Sequence, residues 1–172
     1  AVGGAFGLAA LSVELPVSTA IMLRSIADIA RSEGEELRTP DTRLACMAVF
    51  ALGGRSAADD AAESGYYAVR AGLAQAISEA ARYLASGSAA QATAPPLARF
   101  ITAVAARFGV QVTEKAAAQA VPVVGAAGGA LINSLFMMHF QSMARGHFTV
   151  RRLERVYDPD TVQQAYDRLG SA

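Results

Sequence analysis

The feature that most restricts the fold is the segment Ala116 to Met138, which carries no charged residue and contains Pro122, Gly125, Gly128 and Gly129. Its length approaches that of a helix crossing a bilayer core, about 20 residues. The internal proline and glycines, with the polar Gln119 and Asn133, argue instead for a break followed by a new helix starting near Val124. That helix is predicted to run through Leu131, Leu135, Phe136 and Phe140 toward Tyr157, with Gly146 as a candidate kink.

The rest of the chain reads as helical, with almost no strand signal. A small-residue stretch containing Gly3, Gly4 and Gly7 leads into a helix near Glu14 to Ser32, with Pro16 in its first turn and Gly34 as its stop. Thr39 caps a second helix whose first residue is Pro40 and whose apolar run ends at Gly53-Gly54. Ala58 to Leu84 is amphipathic, and a small-residue linker near 86–96 follows it. Leu97 to Phe108 and Val110 to Val121 read as two helices separated at Gly109, and Asp158-Pro159 caps a last short helix ending near Leu169. The expectation is one all-α domain over residues 1–172, a compact bundle of about seven helices with Gly-rich apolar segments.

Charge balance removes one class of partner. Lys and Arg number 15 and Asp and Glu 15, so no net field draws the chain to nucleic acid, and the aromatic interleaving of a nucleic-acid surface is missing. At 53% hydrophobic residues and a mean hydropathy of +0.29, the composition lies between soluble domains and polytopic membrane proteins. The single cysteine, Cys46, excludes an internal disulfide and fits a buried helix position. Ala1 to Leu11 lacks a basic leader and does not read as a secretory signal, so a cytoplasmic protein is expected, peripheral at the inner face of the cytoplasmic membrane. Gly3-Gly4-Ala5 and Gly128-Gly129-Ala130 form a weak internal echo, as do Leu15-Pro16-Val17 and Val121-Pro122-Val123.

Two blocks carry a family resemblance. The run Glu14 to Thr19, continued by Met22 to Ala30 and by Val49-Phe50-Ala51-Leu52-Gly53-Gly54, resembles the bacterial EcsC family. So does the later run Val121 to Gly125, with Gly128 to Asn133, His139-Phe140 and Ala144 to Phe148. The resemblance implies a helical protein that is longer at its N-terminus, of which this chain is the C-terminal part. It implies no particular chemistry.

The candidate site residues come from polar groups set against apolar helices. Glu14, Ser18, Ser25 and Asp28 share about a third of a helix circumference, with Arg24, Arg31 and Glu35 beside them. This face reads either as a polar seam lining a cavity or as a helix surface with Arg24/Asp28 and Asp28/Arg31 pairs. His139 and His147 lie about 80° apart around a helix, which is poor for shared metal ligation and better for hydrogen bonds at helix contacts. Arg145, His147, Arg151, Arg152 and Arg155 follow directly on the apolar stretch. That order suits an anionic lipid or membrane surface; the alternative is a helix end whose arginines pair with Glu154, Asp158 or Asp160.

No phosphate loop, dinucleotide fingerprint or nucleophile elbow is present, and neither a metal nor a cofactor is implied. The expected function is a non-enzymatic helical protein, associated peripherally with a membrane or binding a lipid-like apolar ligand. Its ligand set would be Glu14, Ser18, Arg24, Asp28, Asn133, His139, Arg145, His147, Arg151 and Arg152. The alternatives are a scaffold subunit that meets a protein partner or forms a homo-oligomer, and a hydrolase using Glu14 or Asp28 with a histidine.

Overall fold

The computed structural model describes residues 3–53, 65–86, 95–119 and 125–170. Every described element is helical: α1 (Gly3–Ser32), α2 (Pro40–Leu52), α3 (Gly65–Ala85), α4 (Pro95–Gln119), α5 (Gly125–Tyr157) and α6 (Pro159–Gly170). The all-α class stands, and the expected count of about seven becomes six among the described residues because α4 continues through Gly109. A Cβ at Gly109 would meet nothing within 4 Å, so that glycine costs only helix propensity, about 1 kcal/mol, while Phe100 and Val104 anchor the same helix in the core. In α1 the helix likewise starts earlier than expected, with Pro16 in its interior. The break expected at Pro122 and most of the linker near 86–96 lie outside the described residues.

Local chemistry sets the helix ends. Gly34 adopts φ +83, and the Glu35 amide donates to Ala30 O at 3.0 Å while the Gly34 amide donates to Arg31 O at 3.1 Å. These two bonds close α1 as a Schellman motif and place Glu35 just past its end. At α2, Thr39 is extended and its hydroxyl accepts from the Thr42 amide at 3.3 Å, with Pro40 leading the first turn. Asp158, at φ 90, accepts from the Thr161 amide at 3.2 Å and begins α6.

The helix α2 is central: 9 of its 13 residues are buried, and it packs against α1, α3, α4 and α5. On α1, Met22, Ile26 and Ala30 form a buried stripe at four-residue spacing, as do Phe140, Ala144 and Phe148 on α5. Gln141 donates to Ser25 at 2.9 Å and Arg151 to Glu35 at 3.0 Å, both across a separation of 116 residues, so α1 and α5 run parallel. By contrast, α2 runs antiparallel to α5, with Gly53 beside His139 and Asp41 beside Arg151. Cys46 is 3% exposed, and burial followed by the charge of Glu35 pushes its thiol up to about 11, so it is an inert core residue. Among the described residues no helix is long and apolar enough to cross a membrane.

Candidate functional site

Two polar networks meet where α5 passes the starts of α2 and α3. In the first, the Glu35 side chain is 5% exposed and accepts both an Nε bond at 3.0 Å and a terminal-nitrogen bond at 3.2 Å from Arg151. Arg155 also donates to Glu35, and the Thr42 hydroxyl donates at 3.1 Å. Arg151 reaches Asp41 at 2.9 Å, and Arg152 pairs with Glu33 at 3.0 Å. Arg151, Arg152 and Arg155 are therefore compensated by the acidic residues of the α1–α2 connection and of the first turn of α2. Their partners are not Glu154, Asp158 or Asp160.

The second network starts at Glu154, which takes two bonds from Arg70, at 2.7 and 2.9 Å. Arg70 also donates to the Tyr66 hydroxyl at 3.3 Å and lies over the Tyr66 and Tyr67 rings at 5.3 and 5.4 Å. The Tyr66 hydroxyl sits 3.0 Å from His147 Nδ1. That oxygen, which accepts from Arg70, therefore joins the guanidinium to the imidazole. His147 is 4% exposed, and its Nε2 has no hydrogen-bond partner among the described residues. Burial first, and then the charges of Arg70 and Arg151, push its pKa down to about 3, so the ring is neutral. A buried polar nitrogen left unsatisfied costs about 1–3 kcal/mol.

Between α2 and α3 these networks close one end of a groove of about 390 Å³. Its walls are Ala45, Ala48 and Leu52 from α2 and Leu73, Ala74, Ile77, Ser78, Ala81 and Arg82 from α3. The positions follow helical spacing, so α2 contributes an apolar stripe while the α3 wall mixes apolar side chains with Ser78 and Arg82. Asp41, Arg70, His147 and Arg151 form the polar end, gathered there because each is tied into one or the other network on α5.

The model of the EcsC protein family matches residues 1–153. The chain belongs to the EcsC protein family. Neither a curated protein nor a solved structure matches it. The EcsC match ends just before Glu154, so the Arg70 partner and α6, with Tyr166 packed on Tyr66 and Tyr67, lie beyond the matched segment.

In this EcsC domain the residues singled out from sequence do not form one site. The Glu14 side chain lies outside the described residues. Ser18 is half-buried on α1, Arg24 is exposed, and Asp28 pairs with Arg31 at 3.5 Å in an exposed contact on its own helix. Asn133 is half-buried and Arg145 exposed on α5. His139 bonds the Gly53 carbonyl at 2.8 Å, so the two histidines do serve separate helix contacts. His147 and Arg151 meet at the groove, joined by Tyr66, Arg70, Glu35 and Asp41, which the sequence reading left out of the site. One sequence signal pointed there: Glu33, Glu35 and Glu36 form an acidic cluster that balances the arginines in a chain of zero net charge.

Proposed function

We propose that this EcsC-family protein is a non-enzymatic helical domain that seats the N-terminal ends of α1 and α5 on a membrane surface. The observation that carries this reading is a matched pair of solvent-facing stripes. On α1, Val17 and Ile21 are both 54% exposed, and Arg24 and Asp28 continue the same face. On α5, Leu135 and Met138 are 56% and 60% exposed, and Ser142 and Arg145 continue that face. Because the helices are parallel, the apolar ends of both stripes lie toward the same end of the molecule. Farther toward that end, the sequence before Glu14 and the segment Gly125 to Leu135 carry no charge.

The spacing suits an interface. Arg24 follows Ile21 by about 4.5 Å of helix axis and Arg145 follows Met138 by about 10 Å, against a burial depth of about 5–10 Å for interfacial helices. Apolar side chains would enter the acyl boundary while the two arginines met anionic headgroups. Arg151, Arg152 and Arg155 already hold carboxylates, so the headgroup role falls to Arg24 and Arg145.

Flotation with anionic vesicles at low salt tests this. The wild-type chain should float, and Ile21→Asp combined with Met138→Asp should abolish flotation without loss of fold, since both side chains are exposed. Arg24→Gln and Arg145→Gln should each weaken binding about five-fold, the equivalent of about 1 kcal/mol per surface arginine. Failure of the wild-type chain to float would overturn the reading. So would a soluble oligomer that the aspartate variants disperse, because it would give the face to a second copy of the chain.

A further inference from the structure

The groove between α2 and α3 lies apart from the proposed membrane face, and we propose that it binds one alkyl carboxylate, with the carboxylate on Arg82 and the chain lying along the two helices. The shape selects the chain. Lining positions run from Asp41 to Leu52 on α2 and from Arg70 to Arg82 on α3, about 17–18 Å of helix axis on each side. A volume of about 390 Å³ spread over that length leaves a mean cross-section of about 22 Å². That admits one extended alkyl chain at ordinary carbon contact distances and is far too narrow for a helix, about 10–12 Å across. The chain gains by burial against Ala45, Ala48, Leu52 and Leu73, and the small alanines keep the helices' own side chains from filling the space.

Charge places the head. Among the arginines of the lining, Arg70 gives both terminal nitrogens to Glu154, and Arg151 is held by Glu35 and Asp41. Arg82 differs from both. Its Nε donates to the Ser78 carbonyl at 3.3 Å, and no carboxylate among the described residues pairs with its terminal nitrogens. Glu79, the one acid in the sequence of α3, is already taken by Arg99 at 2.9 Å and by Gln75 at 3.0 Å. An anion at the Arg70 end would enter a cluster whose charges are matched and would face Asp41, whereas at Arg82 it meets an open guanidinium, with Ser78 one turn back on the same wall. Arg82 is exposed, so the carboxylate keeps part of its water while the chain leaves its own.

The test uses the full chain at about pH 8, where a carboxylic acid is ionised, with decanoate, hexanoate and 1-decanol as probes read by titration calorimetry and native mass spectrometry. Decanoate should bind one to one and at least about ten-fold tighter than 1-decanol, the difference being the pairing with Arg82. Hexanoate should bind at least about ten-fold more weakly than decanoate, because four methylenes leave the apolar walls. Arg82→Gln should bring decanoate down to the level of 1-decanol and leave the alcohol unchanged; the side chain is exposed, so the fold is kept. Ala74→Trp, at an exposed position on the groove wall, should abolish binding of both. The proposal is overturned if decanoate does not bind, if 1-decanol binds as tightly, or if Arg82→Gln leaves decanoate binding intact. The chain carrying Ile21→Asp and Met138→Asp should bind decanoate as the wild type does, and loss of binding there would give the probe to the membrane face and overturn the groove. Flotation tests that face without decanoate, so either conclusion can fail while the other stands.

Discussion

A Glu35→Ala variant is expected to lose about 3–5 kcal/mol of stability, because removing one member of a buried ion cluster leaves its partners uncompensated. Two arginines, Arg151 and Arg155, converge on this carboxylate, whose side chain is 5% exposed. For a chain of this size the melting temperature should fall by roughly 2–4 °C per kcal/mol, about 10 °C in all. Asp28→Asn is the control: its pair with Arg31 is exposed on both sides, and its loss should change stability by less than about 0.5 kcal/mol. If the two variants melted alike, the Glu35 cluster would count as a surface network and α1 would not be held to α5 by it.

Acid should weaken the same region. Burial alone would raise the Glu35 pKa, but the hydrogen bond and charge of Arg151, then Arg155 and Thr42, hold it below its ordinary 4.5. A lowered carboxylate pKa gives stability that is complete above about 4.5 and is lost as pH falls through the folded value. His147 adds a second slope of the same sign. Below about 6.5 the unfolded chain takes up a proton that the folded imidazole refuses until about 3, which costs about 1.4 kcal/mol per pH unit over that window. Urea midpoints across pH 7 to 3 should therefore fall from about pH 6.5 downward, and Glu35→Ala should flatten only the part of the curve below about 4.5.

Sequence exposed what is decided locally and hid what depends on topology. Gly34, Thr39-Pro40 and Asp158-Pro159 each work through bonds within a few residues, so their roles as stop and start signals were legible. Gly109 misled because propensity was weighed without tertiary packing: Phe100 at 0% and Val104 at 7% exposure hold α4 straight through it. Arg151 and Glu35 lie 116 residues apart, Arg70 and Glu154 lie 84 apart, and Tyr66 and His147 lie 81 apart. No periodicity links such positions. Local spacing therefore assigned the arginines to the nearest acids, Glu154, Asp158 and Asp160, whereas the parallel course of α1 and α5 brought Glu33 and Glu35 to them.

Phe140→Ala is expected to match the Glu35 variant in size, again about 3–5 kcal/mol, by a different cause. Phe140 is 0% exposed, and its ring lies 5.4 Å from Phe50 of α2, 5.7 Å from Phe108 of α4 and 5.1 Å from Phe136 of its own helix. Its fit extends to the backbone: a Cβ built at Gly53 would come within 2.7 Å of the Phe140 ring, so this glycine lets the end of α2 close on α5. Truncating the ring removes the contacts that join α2, α4 and α5 and leaves a cavity that three packed helices fill only in part. This loss should show little dependence on pH or salt, whereas the Glu35 loss should show both, since one is packing and the other charge. Leu135→Ala, just over a turn away on the same helix and 56% exposed, should cost under about 0.5 kcal/mol in the same denaturation series. A Phe140→Ala cost that small would mean that α2 is positioned by its polar contacts to α5 alone, at Gly53 and Asp41. The groove it shares with α3 would then depend on charge rather than on the aromatic core.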